Sequence, residues 1–583
     1  MESKQSINDF VIKFANVNGT GSASANGMFA KAIFRMGIPV SPRNIFPSNI
    51  QGLPTWYEVR VSRDGYLGRR GGIDMMVSVN PQSFAKDVSE LDPGGYMLYD
   101  STKPLDLRHV RRDIRYLGIP LTEMCLREYS DARQRQLFKN VIYVGALSAL
   151  LNIDFAILKD LVSEQFKGKE KLITPNIHAL EMGHQYASTH FECPLGIHLK
   201  VGEQTPKHIQ EFDQILMDGN TAAALGAVYA GATVAAWYPI TPSTSVVDAF
   251  EKYCRRLRID PGTGKKNFAI VQAEDELSAM GMVIGANWNG ARAFTATSGP
   301  GVSLMSEFLG LAYFAEIPAV LVDVQRAGPS TGMPTRTQQS DILAAAYASH
   351  GDTKHVLFFP ATPAECFSMT IEAFDLAERL QTPVIIMSDL DLGMNLWVSD
   401  PLEDTGAPLD RGEVLSEEDL KARGDQFARF MDEDGDGVAA RTIPGNMHRD
   451  AAYFTSGALQ NSLGRRSEHE DEYRDTLLRV RQKLETARDL IPSPVILGSG
   501  DEKIGFIALG SSVEATREAV SRLNKKGTKA DILIPLGLPL HDELYAFIEG
   551  HQHTYLVEQN RDGQVLSIIR DERPELSPKI SSI

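Results

Sequence analysis

A hydroxyl, a pair of carboxyls and a guanidinium each fall just beyond a short apolar run in the middle of the chain. The first site is Tyr238-Pro239-Ile240-Thr241-Pro242-Ser243. Its two prolines fix the backbone and remove donors. That holds Thr241 in a stiff turn with its hydroxyl offered to a ligand, and it places Ser243 to cap the next helix. Read alone, Pro-x-x-Pro describes only a rigid strand-to-helix turn. Glu274 and Glu276 follow the next apolar run. A carboxyl shielded from water at such a place can hold a proton, because desolvation raises its pKa. The plainer reading is an acidic helix start, since carboxylates favour the positive end of a helix. Position alone leaves both readings, and both glutamates, open. Arg326 comes after the run Ala319 to Val324. Its planar fork can grip a carboxylate through two parallel hydrogen bonds, though a lone loop arginine is otherwise a solvated charge. These groups suit carboxylate binding and the holding of a proton.

The elements that must position them form a regular alternation. Thr221 to Gly231 reads as a small-residue helix, then Thr233 to Trp237 as a strand. Strands at Phe268 to Gln272, Ala293 to Thr297, Ala319 to Val324 and Val384 to Met387 follow, with helices running through Gly285 and Phe314. Strands separated by helical crossovers imply a parallel sheet covered on both faces. Ligands of such sheets bind beyond the carboxyl ends of the strands, where all the groups above fall. The whole chain reads as three α/β domains with a doubly wound central one. Residues 1–195 hold strands at Phe10 to Ala15, Asp74 to Val79 and Tyr96 to Tyr99, with a helix from the turn Gly19-Thr20-Gly21 to Met36. Residues 196–219 read as a polar linker and 220–400 as the central domain. Residues 401–495 read as an acidic, irregular connector with a charged helix near its end. Residues 496–583 form a smaller domain with strands at Phe506 to Leu509, Ala530 to Leu536 and Tyr555 to Glu558.

Composition narrows the function classes. The 583 residues suggest several domains, and 43% hydrophobic with 23% charged residues describes a globular, soluble protein. No apolar run reaches the ~18 residues of a membrane helix. Met1-Glu2-Ser3-Lys4-Gln5 lacks the basic and apolar regions of a signal peptide, so a cytoplasmic location is expected. A net charge of -16 opposes nucleic-acid binding; neither nucleic acid nor membrane is expected as a partner. Cys125, Cys193, Cys254 and Cys366 share no C-x-x-C segment of the kind that iron–sulfur and zinc sites use. They read as four buried thiols, and any cluster must sit on another chain.

Three motifs mislead. Gly435-Asp436-Gly437 with Asn461 imitates a thiamine diphosphate–Mg²⁺ motif, but the acidic run Met431-Asp432-Glu433-Asp434 before it is no buried strand, and Ser462 replaces a second asparagine. Asp432-x-Asp434-x-Asp436-Gly437 opens like a calcium loop, yet the twelfth position is Ile443 rather than a bidentate glutamate. Gly19-x-Gly21-x-x-Ser24 opens a helix after a strand, as a phosphate site would. No acidic residue stands at Pro39 to Ile45 to hold a ribose, so a plain turn is preferred to an NAD site. A coenzyme A phosphate contact at Gly19, Gly21 and Ser22 stays open.

The full Tyr238 run resembles the signature of the 2-oxoacid:ferredoxin (acceptor) oxidoreductase family, in the chain that carries the pyrimidine domain. Ala273-Glu274-Asp275-Glu276-Leu277-Ser278-Ala279, Thr297-Ser298-Gly299-Pro300-Gly301 and Gln325-Arg326-Ala327-Gly328-Pro329-Ser330-Thr331-Gly332 resemble it too, in its order. Val557-Glu558-Gln559-Asn560 with Gly563-Gln564 resembles its transketolase-like C-terminal domain, and the N-terminal unit its gamma domain. The resemblance covers nearly the whole chain and is to the fused gamma–alpha chains of 2-oxoglutarate:ferredoxin oxidoreductases. It implies thiamine diphosphate shared with a beta subunit, which would carry the Mg²⁺ and a [4Fe-4S] cluster. It also implies coenzyme A as co-substrate, ferredoxin as electron carrier and an (alpha-beta)2 assembly. The resemblance favours Glu276 as the catalytic carboxyl that hydrogen-bonds the cofactor's aminopyrimidine. It makes Thr241, Arg326 and Thr331 substrate-binding, and Tyr238, Pro239, Ile240 and Ser298 cofactor-binding, with no metal ligand on this chain. The reaction implied is oxidative decarboxylation of 2-oxoglutarate to succinyl-CoA, or its CO2-fixing reverse. The same chemistry on pyruvate or branched-chain 2-oxoacids, a complete transketolase-type enzyme and a non-catalytic scaffold are the alternatives. Arg336 is a candidate for the second carboxylate of 2-oxoglutarate.

Overall fold

A computed structural model describes residues 5–48, 52–202, 213–404, 406–424 and 427–583. The first four residues and 203–212, the middle of the expected linker, lie outside them. The chain forms two compact units: Met1–Leu216 with Asn395–Asp400, and Met217–Met394 with Pro401–Ile583.

The first unit is built on a six-stranded sheet in the order Val40–Ile45, Pro54–Ser62, Asp9–Val17, Ile73–Ser78, Leu91–Asp100, Arg115–Ile119. The first two pairings are antiparallel and the remaining three are parallel. Of the three strands expected here, Phe10 to Ala15 and Tyr96 to Tyr99 are the cores of longer ones and Asp74 to Val79 is shifted by one residue, while the antiparallel pair was not anticipated. Pro42 and Pro54 disguise that pair: one sits on the edge strand and the other begins its strand, both places where a missing N–H is tolerated. Helix Ser22–Arg35 seals one face, with Phe29 packed edge-on to Phe14 at 5.2 Å between ring centroids. Three cysteines are buried, but Cys193 is exposed, a correction to the expected four buried thiols. It lies in the turn past helix Glu170–His190, beyond the apolar stripe.

The second unit holds two sheets. The larger has the order Ala269–Gln272, Val234–Trp237, Ala293–Thr297, Ala319–Gln325, Pro383–Asp389, Val356–Phe358, Gly537–Leu538. All pairs are parallel except the last. Ala319–Gln325 and Pro383–Asp389 are buried at every residue, as near-continuous apolar runs under helices on both faces should be. Val384 to Met387, the last of the expected series in the chain, is not its edge in the sheet. Val356–Phe358 packs outside it, a strand too short to tell from a buried helix by periodicity. Gly537–Leu538 then ties the last segment of chain to this sheet, Leu357 facing Leu538. The smaller sheet runs Val495–Leu497, Ala530–Ile534, Ile504–Ala508, His553–Val557, Ile580–Ser582.

The acidic connector is less irregular than its composition implies. It contains helix Glu417–Arg423, closed by a capping box at Ser416 and Asp419, and helix Glu470–Leu490. Two buried charge clusters fasten it to the central sheet's helices. In one, Glu316 takes Lys483 Nζ at 2.6 Å and both terminal nitrogens of Arg479. In the other, Glu378 is paired with Arg292 at 3.4 Å, Arg411 at 2.6 Å and Arg441 at 3.3 Å.

Candidate active site at the strand ends

Four adjacent parallel strands end at the residues singled out above. Glu276 opens helix Glu276–Trp288 past Ala269–Gln272; the Tyr238 turn leaves Val234–Trp237; Ser298 precedes helix Gly299–Phe314 past Ala293–Thr297; and Arg326 follows Ala319–Gln325. Arg326 reaches past the end of the intervening strand, and one terminal nitrogen donates to the Thr241 carbonyl at 2.7 Å. Burial lowers its pKa from the usual guanidinium value, while the charges of Asp341 and Glu276 oppose that shift. The Arg326 Nε has no hydrogen-bond partner among the described residues.

The helix start gives the two glutamates different surroundings. Asp275 is the cap, its carboxylate accepting from Ser278 N–H at 2.7 Å. That leaves Glu274 exposed on the strand side and turns Glu276 inward, where it is 7% exposed. The neighbouring helix closes over it because residue 301 is glycine. A Cβ there would lie 1.9 Å from Thr297 Oγ1 and 3.0 Å from Glu276 Cγ. Ser298 is wholly buried, and its hydroxyl and that of Thr297 bond nothing among the described residues. Buried hydroxyls almost always find partners, so this mouth has donors and acceptors to spare. Tyr238 and Pro239 stand exposed at its rim. A buried carboxyl, spare hydroxyls and an aromatic rim fit the aminopyrimidine half of thiamine diphosphate. Of the described residues, only Asp432, Asp434 and Asp436 bring acidic oxygens together as a metal ion would need. Their oxygens already accept N–H groups of their own loop: Gly435 at 2.8 Å, Gly437 at 2.9 Å and Val438 at 2.7 Å.

Arg326 grips Thr241 by its backbone carbonyl. One expected detail changes. Ser243 occupies the cap position without capping: its hydroxyl donates back to the Ile240 carbonyl at 3.1 Å. The tight turn between the prolines brings that carbonyl closer than the helix N–H groups. Thr331 lies exposed on a loop closed by Met333 N–H to Ala327 O at 2.9 Å and Ala327 N–H to Arg336 O at 2.8 Å. Arg336 folds its guanidinium onto the Thr335 carbonyl at 2.7 Å. In the first unit, Gly19 and Gly21 both adopt positive φ, 85 and 78 degrees, and Ser22 begins its helix. A Cβ on Gly21 would meet Leu137 at 2.4 Å.

The far end of the Arg326 loop is clamped by the last domain. Gln339 and Gln559 exchange bonds, Gln339 N–H to Gln559 O at 2.9 Å and Gln559 N–H to Gln339 Oε1 at 3.2 Å. Asn560 donates to Gln339 O at 2.9 Å, and Gln564 donates to Ser340 O at 2.7 Å. Sequence reasoning recognised Gln559, Asn560 and Gln564 only as part of a resemblance, and it missed Gln339, Asp323 and Asp341. Asp323 did leave a signal: an acid inside Val320-Leu321-Val322-Asp323-Val324, a run that must be buried on both faces.

Residues 225–398 match the family model described as "Pyruvate flavodoxin/ferredoxin oxidoreductase, thiamine diP-bdg". Residues 11–186 match "Pyruvate ferredoxin/flavodoxin oxidoreductase". The chain is 29% identical to 2-oxoacid:ferredoxin oxidoreductase 2, subunit alpha, of Aeropyrum pernix, over 96% of this chain and 93% of that one. It is 28% identical to the 2-oxoglutarate oxidoreductase subunit KorA of Mycobacterium tuberculosis, over 90% of this chain and 81% of that one. Among solved structures it is similar to the 2-oxoglutarate:ferredoxin oxidoreductase of Magnetococcus marinus with 2-oxoglutarate, coenzyme A and succinyl-CoA bound. The TM-score is 0.86 at 27% identity, covering 99% of this chain and 96% of that one. With the gamma-like and thiamine-binding regions both matched in one continuous chain, the protein belongs to the 2-oxoacid:ferredoxin oxidoreductase family, in its fused gamma–alpha form.

Proposed function

We propose that the chain is the alpha subunit of a thiamine-diphosphate-dependent 2-oxoacid:ferredoxin oxidoreductase that converts 2-oxoglutarate and coenzyme A to succinyl-CoA and CO2, passing the electrons to ferredoxin. The observation that carries this reading is Arg326, buried and bonded to Thr241 at the strand ends beside Glu276. Arg326 binds the carboxylate that every 2-oxoacid has, and the Thr241 carbonyl orients its fork toward the substrate. Glu276 hydrogen-bonds the aminopyrimidine, with Ser298 and the rim Tyr238, Pro239 and Ile240 holding the ring. Bound there, thiamine diphosphate supplies a carbanion for decarboxylation. Gly301 and the helix above it keep water from Glu276. Thr331, on the exposed loop, contributes to side-chain selection. Gly19, Gly21 and Ser22 offer N–H groups at a helix start to a coenzyme A phosphate.

A beta subunit supplies the diphosphate site, Mg²⁺ and a [4Fe-4S] cluster in a cytoplasmic (alpha-beta)2 assembly. With a sufficiently reducing acceptor the same assembly fixes CO2. The likeness to a relative holding 2-oxoglutarate along 99% of this chain favours that substrate over pyruvate or branched-chain 2-oxoacids. The test is reconstitution. The chain alone should not reduce a viologen dye, and adding the beta chain should give coenzyme A-dependent reduction, fastest with 2-oxoglutarate. Activity of the lone chain would overturn the partner requirement; faster turnover of pyruvate would overturn the substrate.

A further inference from the structure

Helix Gly219–Tyr229 is capped by Asp218, whose carboxylate accepts from Thr221 N–H at 2.7 Å. The side chain of Asn220, inside the first turn, is therefore not needed as a cap. It is 1% exposed, and its amide nitrogen donates to the Pro242 carbonyl at 2.9 Å and to Ser245 Oγ at 2.8 Å. A carbonyl only accepts, so the first contact fixes which end of the amide faces the Tyr238 turn. The other end, Oδ1, bonds nothing among the described residues. An apolar residue of similar size would leave no buried acceptor unpaired. The packing nevertheless makes room for the amide: a Cβ on Gly393 would lie 2.4 Å from Asn220 Oδ1.

Three successive carbonyls of the turn are each held by a side chain. Ile240 O accepts from the hydroxyls of Ser243 at 3.1 Å and Thr244 at 3.2 Å, within the turn itself. Thr241 O accepts from Arg326 at 2.7 Å, and Pro242 O from Asn220. The last two are mechanically linked. Peptide planes are rigid and proline fixes its own φ, so ψ of Pro242 is the one soft torsion between the two carbonyls. Asn220 sets that torsion. We propose that Asn220 is a positioning residue for substrate binding: by gripping the Pro242 carbonyl it presents the Thr241 carbonyl to Arg326 and so sets the aim of the guanidinium. This rests on Arg326 being the ligand of the substrate carboxylate.

The test is a double-mutant cycle in the reconstituted enzyme. In Asn220→Ala the KM for the 2-oxoacid should rise about tenfold, the scale of one lost hydrogen bond, with kcat and the KM for coenzyme A nearly unchanged. In an Arg326→Ala background the same substitution should raise KM no further, because its effect runs through Arg326. An unchanged KM in the single variant, or an equal rise in both backgrounds, overturns the proposal. Asn220→Asp keeps the shape but places an acceptor against the Pro242 carbonyl; it should show the same rise and the same non-additivity, and it carries the cycle if the alanine variant does not fold. If Arg326→Ala itself leaves KM unaltered, the assignment of Arg326 fails. Asn220 is then judged by a crystal structure of whichever variant folds, in which the Arg326 bond to the Thr241 carbonyl should be lost; its retention overturns the positioning role.

Discussion

Two buried regions of the second unit treat charge in opposite ways. Where the connector meets the central domain, Glu316 and Glu378 sit at 2% and 4% exposure, each surrounded by two or more cations. Burial alone would raise the Glu316 carboxyl, but Lys483 and Arg479 hold it below the usual range. At the strand ends Thr297, Ser298 and Asp323 are at least as deeply buried, yet their hydroxyls and carboxyl oxygens have no partner among the described residues. A charge that serves structure is neutralised within the fold. On the proposed function, the strand-end groups are left incomplete because the ligand completes them. Burial therefore does not separate Glu316 and Glu378 from Asp323, whereas pairing of the carboxyl with cations does.

The contrast can be broken by substitution. Glu276→Gln in the reconstituted enzyme should cut turnover about 10³-fold, the scale of a lost proton-transfer partner, with the thermal midpoint nearly unchanged. A large fall in that midpoint would move Glu276 to the structural class. Glu316→Gln should do the reverse, destabilising by about 3–5 kcal/mol because buried cations lose their anion, with specific activity kept in whatever folds; denaturant melts check this. Arg326→Ala should reduce kcat/KM about 100-fold, mostly through KM, since an interaction made before the transition state is lost. Acid should expose Glu316 again. Its folded pKa is depressed, so its stabilisation is present above the usual carboxyl range and fades as pH falls below about 4.5. The stability slope there should flatten in Glu316→Gln. The smallest effect compares caps. Thr362→Ala removes a true N-cap bond to Glu365 N–H and should cost about 1 kcal/mol, while Ser243→Ala, whose hydroxyl does not cap, should cost less.

The parallel strands of the central sheet were legible because each is an apolar run closed by turn residues, and their order in the chain placed Thr241, Glu276 and Arg326 at one edge. What stayed hidden depends on contacts between distant residues. Glu274 and Glu276 look alike until Asp275 is seen to cap the helix. Pro42 conceals an edge strand, where a missing N–H costs no ladder hydrogen bond. Lys483 and Arg479 look like the exposed face of a charged helix, and only the fold brings them to Glu316, more than 160 positions away. Asp323 was visible as an anomaly in an apolar run, but only the fold reveals that neither of its oxygens has a partner among the described residues.

The clamp on the Arg326 loop has an evolutionary corollary. The last domain contributes no residue assigned to the chemistry, and by sequence it looks like a module that could be exchanged. Its Gln559, Asn560 and Gln564 nevertheless fix the backbone of Gln339 and Ser340 and the N–H of Leu343. A chimera that imports this domain from a relative would inherit a working substrate loop only if both halves of that handshake travelled together. The two segments should therefore drift as a matched pair through the family's history, despite the 220 positions between them.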